Sequence, residues 1–276
     1  MQITSLHRYP VKSMAGVGEA YLDIDAGGPA GDRRWAVVEA ETGDKVTARE
    51  LPGLLHLVAH TTEHGVGLRT VHGRTLAVPF PYDGRLVTVG FSRLSHALDA
   101  GDEAAELLSS ELGRPLRLVW QASVTDRSIR LDLGGREGEA LSLADAGPLL
   151  LTSESSLARL QEWLDTETRV GMSRFRPNVV VDGGEPFAED TWDRVRLGDV
   201  DFRMQHACDR CVMTTIDPVT LDRGREPIRT LARHRSWDGA VWFGVWLVPL
   251  APGRIHVGDD VGVEAGHALS TDAGPD

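Results

Sequence analysis

Apolar and polar residues alternate in short runs through the first 120 positions, with glycines between the runs. Residues 3–9 read as a strand closed by Pro10, and residues 21–24 alternate cleanly. Gly27-Gly28-Pro29-Ala30-Gly31 is a loop. Runs 35–39 and 45–47 flank Glu41-Thr42-Gly43-Asp44, a hairpin signal, and runs 54–60 and 66–70 make a second pair around Glu63-His64-Gly65. Strands at 76–79 and 86–89 follow. Many short strands at close spacing predict a barrel or sandwich. The first helical spacing is at 102–112, where Ala104, Leu108 and Leu112 share a face, Asp102 offers a cap and Gly113 a stop. A strand at 116–120 closes this half.

The pattern then breaks. Residues 121–138 are polar and glycine-rich, which places a domain boundary or mobile loop there. Beyond it, 148–151 is a buried strand, and Ser153 caps a helix with Leu157, Leu160 and Leu164 on one face. Arg174-Phe175-Arg176-Pro177-Asn178 enters an apolar strand at 179–181. Runs 195–197 and 200–204 form a hairpin across Gly198-Asp199 and feed His206-Ala207-Cys208-Asp209-Arg210-Cys211. A β-branched strand at 212–216 leads out, broken by Asp217-Pro218. Glu226-Pro227 opens a helix to His234, 241–248 and 255–263 are closing strands, and 266–276 reads as a flexible tail. The fold class predicted is mainly β with a few helices, a barrel-rich α+β chain with domains at 1–120 and 121–265.

Composition narrows the function. With 276 residues, 41% of them hydrophobic, the chain can bury a sizeable core, and its net charge of −12 argues against a general nucleic-acid binder. Two cysteines rule out a disulfide scaffold. The N-terminus has no charged start leading into an apolar run, and the most apolar segment, 240–250, is shorter than the roughly 20 residues a bilayer needs. A soluble cytoplasmic protein with no membrane partner is expected. Of 29 basic residues only Lys12 and Lys45 are lysines, so an ammonium kept at either place suits a point charge at an oxygen-rich ligand.

Both cysteines fall three positions apart, and Arg210 beside Cys211 favours thiolate, the form that binds metals. Zinc needs four ligands, while Cys208, Cys211 and His206 offer three. A thioredoxin-type pair needs a helix after the first cysteine, where a strand is expected. Two remaining readings are a pair of buried thiols and a single thiolate on a soft metal whose other bonds come from an organic ligand. Such a ligand would be anionic, and the chain offers it Lys12-Ser13, the arginines of Gly31-Asp32-Arg33-Arg34, and Arg174, Arg176 and Asn178. The ten histidines lack ligand spacing, and Trp237, Trp242, Phe243 and Trp246 read as core aromatics. No GxxxxGK[ST] or GxSxG motif is present.

The ordered motifs Tyr9-Pro10-Val11-Lys12-Ser13, Asp32-Arg33-Arg34-Trp35, Val46-Thr47-Ala48-Arg49, Leu143-Ala144-Asp145-Ala146, Ser156-Leu157, Arg174-Phe175-Arg176-Pro177-Asn178, Cys208-Asp209-Arg210-Cys211, Thr214-Thr215-Ile216-Asp217-Pro218 and Val257-Gly258-Asp259 resemble those of MOSC-domain proteins. The closest resemblance is to the branch of the mitochondrial amidoxime-reducing components and YcbX-type proteins. It implies an N-terminal MOSC β-barrel domain packed on a MOSC β-barrel domain. It implies a molybdenum cofactor (Mo-molybdopterin, nucleotide form open) with Cys211 as the metal ligand. It also implies cofactor contacts from Lys12, Ser13, Arg33, Arg176, Asn178 and Arg210, with Ser156 as a further one. The implied activity is reduction of N-hydroxylated compounds (amidoximes, hydroxylamines, N-hydroxylated bases) at Cys211; beyond the resemblance, Asp217 is expected as a second catalytic residue, with it or a bound water as the proton source. Electrons would come from a separate reductase or ferredoxin-type protein, because the four cysteines of a [2Fe–2S] cluster are missing; the net negative charge would help dock a basic donor. Pyridoxal phosphate binding belongs to some family members, but the two lysines lack a transaminase-like setting. Met14-Ala15-Gly16 departs from the residues expected after Lys-Ser. The alternative is a non-redox carrier of the cofactor or its sulfur, with Cys211 as acceptor thiol.

Overall fold

A computed structural model describes residues 1–165 and 167–265. Strands dominate, and three α-helices occur among the described residues, Asp102–Leu112, Glu154–Trp163 and Ile228–His234. None of them is long and apolar enough to cross a membrane.

The largest sheet has nine strands and draws on both ends of the chain. Val179–Val181 pairs in parallel with Leu149–Ser153 and antiparallel with the first strand, Ile3–Arg8. Leu149–Ser153 in turn pairs with Ala240–Pro249, which pairs with Val200–Asp209. The three-valine strand and Leu149 and Leu151 have almost no exposure, as expected for central strands covered on both faces. A second sheet of five strands carries Trp35–Glu39, Leu116–Trp120 and Leu94–Asp99. Its core gathers Trp35, Val37, Leu54, Leu108 and Leu118, and Ile216 from the far end of the cysteine segment joins it. The cysteine segment is therefore anchored at one end in the large sheet and at the other in the core of the first half.

Several local expectations are corrected. Residues 212–216 are a 3-10 turn, Val212–Thr215, because the Thr214 and Thr215 hydroxyls donate back to the carbonyls of Cys211 and Val212 at 3.0 and 2.7 Å. Residues 54–60 divide into a 3-10 turn, Pro52–His56, opened by its proline, and a strand, Val58–Thr62. Asp102 is the first helical residue and caps nothing; Asp99 accepts the Gly101 N–H instead, at 2.9 Å. Strand Leu94–Asp99 went unpredicted because its apolar positions are sparse. Trp237 is 38% exposed and is not a core aromatic, unlike Phe243 at 0%. The tail at 266–276 lies outside the described residues.

Candidate functional site

Three backbone segments meet around one cleft of about 890 Å3, open mouth included. The first runs from Tyr9 to Ser13. It is bolted to the segment carrying Arg33 by backbone bonds from Lys12 N to Trp35 O, Trp35 N to Pro10 O and Arg33 N to Tyr9 O. The second is the turn before Val179–Val181, and the third is Cys208 to Thr214. Ser13, Arg33 and Arg176 all adopt positive φ, at 69°, 48° and 55°. Such backbone is costly for side-chain-bearing residues and gathers at ligand sites.

The lining is strongly cationic. Among the lining residues, Lys12, Arg33, Arg49, Arg174, Arg176 and Arg210 outnumber Asp145 and Asp209 by four, on a chain of net −12, although Asp32 and Asp217 pair with Arg33 and Arg174 from outside the lining. Lys12 donates to Leu143 O at 2.8 Å and to Asp145 Oδ1 at 2.5 Å. Burial pulls the Lys12 ammonium below its ordinary value, with Asp145 opposing. Desolvation alone would raise the Asp145 carboxyl, but Lys12 and Arg49 outweigh it and hold it well below the carboxylate range. Arg33 binds Asp32, Asn178 Oδ1 at 3.1 Å and the Arg176 carbonyl at 3.1 Å, which fixes the left-handed turn at Arg176. The Arg33 and Arg176 guanidinium groups lie 4.8 and 4.3 Å from the centre of the buried Tyr9 ring. Burial pushes Arg176 down to about 10.

The two thiols differ. Cys208 is 2% exposed between Leu150 and Trp246, and desolvation pushes its thiol up to about 12. Cys211 is half-buried at the start of the 3-10 turn, with its sulfur-bearing residue in the cleft lining. Both are free, and the segment directly after the pair is a 3-10 turn and not an α-helix, so the thioredoxin-type arrangement has no scaffold. Among the described residues no group of three or more His, Cys, Asp and Glu is placed to hold a metal, which leaves the zinc reading without ligands.

Lys12, Ser13, Arg33, Arg176, Arg210 and Cys211 thus converge. Three other residues expected at the site do not line it. Asn178 is fully buried, bound to Arg33, to the Leu150 N–H at 3.1 Å and to the His7 carbonyl at 3.2 Å, so it holds the wall together from behind. Ser156 is fully buried elsewhere, donating to Glu189 at 2.8 Å and accepting the Phe187 N–H at 2.7 Å. Asp217 accepts from the Val219 and Thr220 N–H groups at 2.8 and 3.1 Å and from Arg174 at 2.8 Å. Those bonds hold its carboxyl below the ordinary value and keep it ionised, which does not suit a proton source. Sequence reasoning did not single out Arg49, Asp145, Asp209 or Trp246 as site residues, although Arg49, Asp145 and Asp209 stand within motifs it quoted.

The donor set fits a thiolate-ligated anionic group. Eight buried side-chain N or O atoms lack a hydrogen-bond partner among the described residues; three of them, Arg176 Nη2, Arg210 Nη2 and Trp246 Nε1, belong to residues of this lining. Buried N–H groups without acceptors cost free energy, and three of them on residues of one lining fit a ligand that supplies acceptors.

Comparison with known proteins agrees. The MOSC N-terminal beta barrel domain matches residues 1–115 and the MOSC domain residues 138–262. The chain is 33% identical to mitochondrial amidoxime-reducing component 1 of Mus musculus over 94% of its own length and 81% of that protein's. The same identity and share of this chain hold for the Homo sapiens protein, 82% of which is covered. Molybdenum cofactor sulfurase of Danio rerio is 31% identical over 89% of this chain, which spans 31% of that longer protein. With its mainly β fold and both domains matched in order, the chain belongs to the MOSC-domain family.

Proposed function

We propose that the cleft holds a molybdenum cofactor of the molybdopterin type and that the chain reduces N-hydroxylated compounds with electrons from a separate donor. The observation that carries this reading is the pairing of one accessible thiol, Cys211, with a cationic lining that retains unpaired N–H donors. When bound, the group supplies a metal centre able to take oxygen from an N–OH and to pass on two electrons, so that N–OH plus two electrons and two protons gives N–H and water.

The chain's own residues do the rest. Cys211 would give a thiolate to the metal, while Cys208, whose thiol burial keeps protonated, packs with Leu150 and Trp246. Arg176 and Arg210 offer their spare N–H groups to the phosphate and pterin, and Lys12 and Arg33 add positive charge from the opposite segment. Arg210 is itself fixed by donating to the carbonyls of Phe243 at 2.8 Å and Phe175 at 3.1 Å, so it meets a ligand already oriented.

A second reading is supported by the similarity to the sulfurase: a carrier that holds the cofactor or its sulfur without reducing anything. Benzamidoxime reduction by protein from a cofactor-producing host, with an artificial electron donor, separates the two. The reductase reading expects turnover that disappears in Cys211→Ala. Bound molybdenum without turnover favours the carrier.

A further inference from the structure

Arginine meets an aromatic ring at several places in the chain, and the partners around those pairs differ. Arg235 lies 4.1 Å from the centre of the Phe187 ring and also pairs with Asp190; Arg254 lies 4.3 Å from the centre of the Tyr21 ring and also pairs with Asp23. In the cleft wall, Arg33 and Arg176 share the Tyr9 ring, at 4.8 and 4.3 Å. Arg33 has Asp32 as its carboxylate. Among the described residues no carboxylate pairs with Arg176, and its buried Nη2 has no acceptor. Arg210, 5.3 Å from the centre of the Phe175 ring, is likewise without a carboxylate among the described residues and bonds to backbone carbonyls.

Tyr9 is buried and stands behind the lining, not in it. Its N–H donates to Asp32 Oδ1 at 2.7 Å, and its carbonyl accepts the Arg33 N–H at 2.8 Å. The ring is seated on Gly16. A methyl at that position would lie 2.5 Å from Tyr9 Cδ1 and 2.9 Å from Cε1, and would collide with the Arg8 carbonyl oxygen. Gly16, one of the residues that depart from the expected motif, is therefore demanded by close approach. Burial raises the Tyr9 phenol above its ordinary value, with Arg176 and Arg33 opposing, so the ring is uncharged at neutral pH.

We infer that Tyr9 is a positioning residue of the anion cleft: its ring, seated against Gly16, holds the Arg176 guanidinium in the wall without consuming its charge or its N–H groups. A carboxylate in the same place would neutralise the arginine and occupy its donors. A ring face attracts the cation through its quadrupole and leaves the donors in the guanidinium plane free. Arg176 thus meets an anion charged, oriented and with a spare N–H. The inference rests on the reading of the cleft as the cofactor's anion site, and its test uses neither molybdenum nor turnover.

Inorganic pyrophosphate is the probe, titrated calorimetrically at neutral pH and low salt into the full chain purified from a host that makes no molybdenum cofactor. Arg176→Ala should weaken binding about tenfold or more, which places the probe in the cleft. Tyr9→Phe keeps the ring and should bind within about twofold of the parent. A trifluorinated phenylalanine at the same position keeps the shape but withdraws electron density from the ring face, and should bind about three- to tenfold more weakly than Tyr9→Phe. A purely structural role would not distinguish those two rings. Tyr9→Leu should lose about ten- to thirtyfold, with a melting curve showing that the variant is folded; where it is not, the fluorinated ring decides alone. The inference is overturned by a parent that binds no pyrophosphate, by a fluorinated ring that binds as tightly as Tyr9→Phe, or by parent-like binding in Arg176→Ala or in folded Tyr9→Leu. The expected pattern in a protein that holds no molybdenum would sink the cofactor reading and leave the inference standing.

Discussion

Two polar clusters are buried in the second half of the chain, and they differ in how their hydrogen bonds end. Around Ser156 every group is served: Ser153 accepts the Ser156 N–H at 3.1 Å, Ser156 donates to Glu189, and the Phe187 N–H closes the set. Around Arg176 the account stays open, because Arg176 and Arg210 each keep a buried nitrogen without an acceptor. Both clusters carry residues that look like cofactor contacts in the sequence. Only the second keeps donors without acceptors on residues that line a cleft, and that surplus, not residue type, is what distinguishes it from the closed cluster.

Removing the surplus donors should have the largest effect. Replacing Arg176 and Arg210 together by alanine should lower cofactor affinity by about a hundredfold or more, since each charged hydrogen bond contributes about 1.5–3 kcal/mol. Pterin content of the purified double variant measures it, and unchanged content would put the anion site elsewhere.

The closed cluster should respond in stability alone. Ser156→Ala removes bonds to Glu189 and to the Phe187 N–H and should cost about 1–3 kcal/mol in denaturant unfolding, with pterin content untouched. Loss of cofactor in this variant would return Ser156 to the site.

Glu189 offers a pH test. Burial raises its carboxyl above the ordinary 4.5, with the Ser156 and Ser153 hydroxyls only partly offsetting it. A carboxyl raised in the folded state binds its proton more tightly there, so its contribution to stability falls as pH rises from the ordinary value through the folded one. Glu189→Gln should therefore gain on the parent in melting temperature between acid and neutral pH. A difference independent of pH would contradict the raised carboxyl.

Asp145 should show the opposite sign and the smallest effect. Its carboxyl is depressed in the folded state, so its contribution is present above the ordinary carboxylate value and is lost as pH falls below it. With 58% of the side chain exposed, the change should be modest. Asp145→Asn should flatten the acid-side fall in melting temperature slightly; a steeper fall would contradict the assigned direction.

What the sequence made legible follows the reach of each signal. Helix Asp102–Leu112 and strand Val179–Val181 were readable because local periodicity and stop residues decide them. The turn at Val212–Thr215 was not, since β-branched residues favour a strand until Thr214 and Thr215 spend their hydroxyls on the backbone and Ile216 is drawn into the core of the first half. In the site, Lys12, Arg33 and Arg176 stood out through motif and scarcity. Asp209 and Trp246 did not, because their place in the lining depends on two bulges and on cross-strand register, which no single stretch of sequence displays. Asn178 and Ser156 are not among the lining residues: Asn178 shares a motif with Arg176 but bonds behind the wall, and Ser156 bonds to Glu189.

The two cysteines offer the most direct test of whether Cys211 carries a metal. Molybdenum should be measured by elemental analysis in the parent, Cys208→Ala and Cys211→Ala, all purified from a cofactor-producing host. Near-stoichiometric metal is expected in the parent and in Cys208→Ala, and none in Cys211→Ala. Metal retained in Cys211→Ala, or lost in Cys208→Ala while that variant remains folded, would contradict it.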